Sequence, residues 1–102
     1  MRYIQTRSVR AFFRILAGTS RSQAAMMVLD PGQSTGGADN VHPRSDQWLF
    51  VVSGPGTASV AGRTVALGAG ALLLIEAGEA HEIVNTARRP LVTVNVYAPS
   101  AY

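Results

Sequence analysis

A chain of 102 residues, 47% apolar and 15% charged, is sized for one domain around one core, expected here to span residues 1–102. It contains no cysteine, which excludes both a disulfide scaffold and a thiolate zinc site, so any metal must sit on His, Asp, Glu, Asn, Gln or Tyr. No apolar run approaches the roughly 18 residues that span a bilayer and no secretory signal is legible, so a cytoplasmic protein with no membrane partner is expected.

All nine basic residues are arginine, and Arg2, Arg7, Arg10, Arg14 and Arg21 precede the first acid, Asp30. They are interleaved with apolar residues rather than clustered, which reads as a solvated strand face and not as a transit peptide or a nucleic-acid arm. With a net charge of only +3 and no aromatics arranged along a basic stripe, no nucleic-acid partner is expected.

In chain order, Met1 to Thr6 reads as a lead-in able to add an edge strand. Val9, Phe12, Phe13 and Leu16 fall at helical spacing. Yet Phe12 to Leu16 and Ala24 to Leu29 are two short apolar runs around a Gly/Ser turn at Gly18 to Ser22, so a hairpin is the better reading. Turn signals then recur at Asp30-Pro31-Gly32, Gly36-Gly37, Gly54-Pro55-Gly56, Ala61-Gly62-Arg63, Gly68-Ala69-Gly70, Ala77-Gly78-Glu79 and Ala87 to Pro90. Between the later ones lie β-branched or aliphatic segments: Trp48–Val52, Thr57–Val60, Thr64–Leu67, Leu72–Ile75, Glu82–Asn85 and Leu91–Tyr97. Short strands at this spacing predict an all-β sandwich or barrel with jelly-roll or Greek-key connections.

Alternate strand residues share a face. Gln47, Leu49 and Val51 therefore look one way and Trp48, Phe50 and Val52 the other, and since both sets are largely apolar, this strand is expected to be buried on both sides. His81, Ile83 and Asn85 share a face, and on neighbouring inner strands His42, Gln47 and His81 can converge at a barrel mouth. Three polar groups in such a place need partners, and a metal would satisfy all of them. Thr93, Asn95 and Tyr97 would line the same pocket if their face turns inward, leaving Val92, Val94 and Val96 to meet a second subunit.

The spacing of these groups resembles that of the cupin superfamily. Asn40-Val41-His42, four residues, Gln47, six residues and Gly54 follow the first cupin motif, in which His-x-His precedes a glutamate and a glycine. Gly70, five residues, Glu76-Ala77-Gly78, two residues, His81, three residues and Asn85 follow the second, departing from it only at Glu76, where the family has proline. The resemblance implies an all-β, cupin-type double-stranded β-helix (a jelly-roll barrel) that forms homodimers and holds a divalent metal. His42 matches the second histidine of the first motif and His81 that of the second motif, while Asn40 and Gln47 stand where a histidine and the glutamate are expected.

Carried over position by position, the ligand set is His42, Gln47 and His81. Asn40, Arg44, Asp46, Asn85 and Asn95 are the candidates for the pocket or its supporting shell. Asp46 and Asn85 have competing readings as a turn cap and a turn-fixing amide. Two imidazoles and amide oxygens suit Fe, Mn, Ni, Zn or Cu better than Mg or Ca. Without a carboxylate the ion keeps its double charge, which favours a small anionic chelating ligand, and Arg44 adds to that attraction. Two functional readings follow: a metal-dependent dioxygenase or isomerase, and a ligand-binding or sensor module that does not turn its ligand over.

Overall fold

The computed structural model describes residues 1–36 and 40–102, so Gly37 of the expected Gly36-Gly37 turn lies outside the described residues. Among the described residues eight strands follow in order: β1 (Phe13–Gly18), β2 (Gln23–Leu29), β3 (Asp46–Ser53), β4 (Gly56–Val60), β5 (Arg63–Leu67), β6 (Leu72–Ile75), β7 (His81–Val84) and β8 (Leu91–Ala98). They form a five-stranded sheet in the order β1-β2-β8-β3-β6 and a three-stranded sheet in the order β5-β4-β7. A lone bridge joins Ser34 to Val84 beside β7.

The first two apolar runs pair as a hairpin, closed by the Thr19 N–H donating to the Ser22 carbonyl at 2.7 Å. The helical spacing of Val9, Phe12, Phe13 and Leu16 has a different origin: Val9 is buried in the lead-in, and β1 is bulged between Ile15 and Ala17. Met1 to Thr6 forms no strand. At the β4–β5 turn Ala61 and Gly62 both have positive φ (50° and 80°), the primed geometry that matches the twist of a two-residue hairpin. No helix among the described residues is long and apolar enough to cross a membrane.

The sheets enclose a core of Met27, Leu29, Leu49, Val51, Ala58, Leu67, Ile83 and Leu91. Gly56 is part of this packing, since a Cβ there would meet Leu91 Cδ2 at 2.5 Å. Register then sets the polar positions. Tyr97 of β8 lies between Gln23 of β2 and Gln47 of β3, and the next inward row is Ala25, Asn95 and Leu49. Thr93, Asn95 and Tyr97 do face inward, at 3% exposure or less.

One expectation is overturned. β3 is not buried on both sides: Trp48, Phe50 and Val52 are 42, 44 and 48% exposed. The opposing sheet covers only the inner face. The outer neighbours of Trp48 and Phe50 are Val96, Val94, Leu74 and Leu72, so an apolar patch stretches across β8, β3 and β6.

Candidate metal and ligand pocket

A cavity of about 160 Å³ opens at the end of the barrel where Gln47, His81 and Tyr97 end their inner rows. The segment before β3 is held against the turn preceding β7 by two backbone hydrogen bonds: His81 N–H to the Asn40 carbonyl at 3.0 Å and Gly78 N–H to the His42 carbonyl at 2.9 Å. That pairing brings Asn40 and His42 to the cavity wall beside His81. The two imidazole centroids lie 5.2 Å apart with planes inclined by 37°.

Each polar group has a defined state. His81 is buried, and its Nδ1 lies 3.0 Å from the Glu79 carbonyl, an acceptor only; a proton therefore belongs on Nδ1, and Nε2 is the nitrogen not engaged by that carbonyl. Desolvation, with the nearby His81 adding to it, holds the His42 pKa below that of an ordinary histidine, so His42 is neutral near pH 7. Gln47 Nε2 donates to Asn95 Oδ1 at 2.9 Å, and Asn95 Nδ2 donates to Thr93 Oγ1 at 3.0 Å. The Thr93 hydroxyl in turn points to the Met27 carbonyl at 3.5 Å. Because that carbonyl can only accept, the whole relay is polarised, and Gln47 Oε1 is left as a buried acceptor with no donor.

The other sequence candidates separate. Asn40 lines the cavity, and Asn95 supports it through Gln47. Arg44 is exposed and lines a neighbouring groove with His42 and Ser45. Asp46 and Asn85 do not line the cavity. The Asp46 carboxylate accepts from Ala77 N–H at 2.9 Å and so caps the turn that ends in Glu79. Asn85 is spent on backbone: its Nδ2 donates to the Leu29 and Arg89 carbonyls at 2.8 and 2.9 Å, and its Oδ1 accepts from Ala87 N–H at 2.9 Å.

Sequence reasoning missed Phe13, Thr35 and Tyr102 on the cavity wall. Thr35 lies next to the bridge at Ser34, and its Oγ1 accepts from Ile83 N–H at 2.9 Å. The Tyr102 hydroxyl lies 3.4 Å from His42 Nε2. Burial raises the pKa of both Tyr97 and Tyr102, keeping the two phenols protonated.

Among the described residues no three His, Cys, Asp or Glu side chains converge. The available donors are instead two imidazoles and one orphaned amide oxygen, a set chemically suited to a transition ion.

Comparison with known proteins places the fold. The cupin domain family model matches residues 25–97. No curated protein matches the chain. Among solved structures, BH2720 from Bacillus halodurans is 31% identical over 95% of this chain and 76% of its own, with a TM-score of 0.87. An uncharacterized conserved protein with a double-stranded beta-helix domain from Klebsiella pneumoniae is 28% identical over 86% of this chain and 76% of its own, with a TM-score of 0.78. A predicted oxalate decarboxylase from Thermotoga maritima is also 28% identical, over 76% of this chain and 66% of its own, with a TM-score of 0.70. Two antiparallel sheets around a pocket at one barrel end, with a family match across most of the strands, establish that the chain belongs to the cupin family.

Proposed function

We propose that this cupin binds a divalent transition ion (Fe, Mn, Ni, Zn or Cu) on His42, His81 and the Oε1 of Gln47, and takes a small anionic organic ligand at that ion. The observation that carries this reading is the orphaned Gln47 oxygen beside two imidazoles. A buried acceptor left without a donor costs about 1–3 kcal/mol, and a cation relieves that cost. The imidazole spacing of 5.2 Å agrees with roughly 5 Å expected for two rings that share one ion at about 2.1 Å from each nitrogen.

When bound, the ion supplies Lewis acidity toward a carboxylate, enolate or catecholate. The chain does the rest. Thr93 and Asn95 fix the Gln47 amide, Glu79 fixes the His81 tautomer, and Arg44 draws anions toward the opening. A cavity of about 160 Å³ matches one of about 150 Å³ that holds a benzene-sized molecule, which limits the ligand accordingly. The Thermotoga maritima neighbour is a predicted oxalate decarboxylase, and oxalate is of this small chelating class. Dioxygenase and isomerase chemistry both suit such a ligand. A binding or sensor role without turnover is favoured by a separate observation: among the described residues no carboxylate lines the cavity to act as general base.

Elemental analysis of protein purified without added metal or chelator, beside a His42→Ala/His81→Ala double variant, tests the site. Transition metal in the wild type and none in the variant is the expected result. A wild type that is empty, and stays empty after incubation with each of the five ions, ends the metal reading.

The same proposal includes a cytoplasmic homodimer formed through the outer face of β3, β6 and β8, where Trp48, Phe50, Leu72 and Val96 are 42, 44, 62 and 36% exposed. A monomer in light scattering at micromolar concentration would contradict it.

A further inference from the structure

Tyr102 and Gln23 belong to no ligand set described above, yet they are joined at the cavity mouth. The Gln23 side chain is 8% exposed and grips the backbone of Tyr102 twice: Nε2 donates to the Tyr102 carbonyl at 2.9 Å, and Oε1 accepts from the Tyr102 N–H at 3.0 Å. Ser100 Oγ donates to the Thr19 carbonyl. Residues 100–102 are thus tied to the β1–β2 turn.

The ring of Tyr102 lies 4.9 Å from Phe13, 5.3 Å from Tyr97 and 5.4 Å from His42, centroid to centroid. It lines the cavity and is 58% exposed, so it stands at the rim. A second groove of about 360 Å³ is lined by His42, Arg44, Ser100 and Ala101. His42 borders both spaces, which makes residues 100–102 part of the wall between them.

We propose that Tyr102 is the specificity-determining residue of the pocket: clamped by Gln23, its ring closes the inner cavity off from the Arg44 groove and excludes ligands larger than about benzene size. The inference rests on the reading of this cavity as the functional pocket, and does not require a metal in it. Removing the ring joins the cavity to the groove, where Arg44 can pair with the carboxylate of a longer ligand.

The test is ethoxyformylation of His81 by diethyl pyrocarbonate, a reagent larger than benzene, on the chelator-treated full chain, read by peptide mass spectrometry. His81 is 3% exposed and lines both the cavity and a separate space beside Ser59, Gly62 and Glu82, so entry through the mouth is read as the difference in rate between wild type and the Tyr102 variants, which leave that second space unchanged. Gln23→Ala is expected to speed its modification about tenfold or more, the factor that loss of two net-favourable hydrogen bonds allows, and Tyr102→Ala, which keeps those backbone bonds but removes the ring itself, at least as much. Tyr102→Phe keeps the ring and should stay within about twofold of wild type, as only the hydroxyl's contacts with His42 and Tyr97 are lost. Equal rates in wild type and Tyr102→Ala overturn the proposal, and so does a Tyr102→Phe rate as high as that of Tyr102→Ala. If Gln23→Ala fails to fold, as judged by circular dichroism, Tyr102→Ala decides alone, because its side chain lies at the exposed rim. Since the protein is metal-free in this assay, an empty elemental analysis leaves the outcome standing, and open access to His81 leaves metal binding standing.

Discussion

The inner and outer faces of β3 and β8 carry opposite chemistry. Inward at the barrel mouth stand Gln47, Thr93, Asn95 and Tyr97, all 4% exposed or less. Outward on the same strands stand Trp48, Phe50, Val52 and Val96, all at least 36% exposed. An ordinary half-buried antiparallel sheet is apolar inside and polar outside. Here the mouth end inverts that rule. Both features are what the proposed function rests on: a buried acceptor, Gln47 Oε1, without a donor at the mouth, and apolar groups left in water on the outer face.

The sharpest contrast is between the mouth and the apolar end of the same inner face. Leu49→Ala should cost about 2–5 kcal/mol in urea unfolding, because Leu49 is fully buried in the core one row inward from Gln47. At the mouth, a bound ion should stabilise the fold by about 2.7 kcal/mol at a free concentration one hundred times its dissociation constant, seen as a rise in melting temperature. The His42→Ala/His81→Ala double variant should show no such rise. Asn95→Leu should cost about 1–3 kcal/mol, since it strands the Gln47 amide, and should also weaken ion uptake in titration calorimetry because the amide is then free to turn.

The outer face should respond differently. Phe50→Asp should change the stability of the isolated chain by only about 0.5 kcal/mol or less, as for other surface substitutions, while shifting light scattering from dimer to monomer. If it left the dimer intact, the outer face would not be the interface.

A separate effect lies at alkaline pH, outside the range in which the others are measured. Burial first, and the neighbouring Tyr102 second, raise the pKa of Tyr97 in the fold above the ordinary phenol value near 10. The fold therefore favours the protonated phenol. Its contribution is complete below about pH 10 and is lost as pH rises further, because the unfolded chain then releases a proton that the folded one keeps. Tyr97→Phe should flatten that alkaline limb in chelator-treated protein, measured by urea midpoint against pH.

Most of the architecture was legible from local rules. Period-2 alternation and Gly/Pro punctuation marked all eight strands, and motif spacing singled out His42, Gln47 and His81, which the structure brings to one cavity. The roles of Asp46 and Asn85 were less legible, because a short polar side chain near a turn looks the same whether it faces a pocket or caps a backbone N–H. Alternation also could not tell a covered apolar face from an exposed one: Trp48, Phe50 and Val52 carry the same pattern either way, and only the position of the second sheet decides between them.

The sequence by itself determined strand order along the chain, turn positions and the two histidines, since each follows from residue chemistry within a dozen neighbours. Tertiary structure alone decided which β3 face meets the core, and which way the Gln47 amide points. It also placed Tyr102 at the mouth, held by Gln23 from 79 residues away. Contacts of that separation arise when β2, β8 and β3 align side by side in one sheet, and no local pattern encodes that alignment.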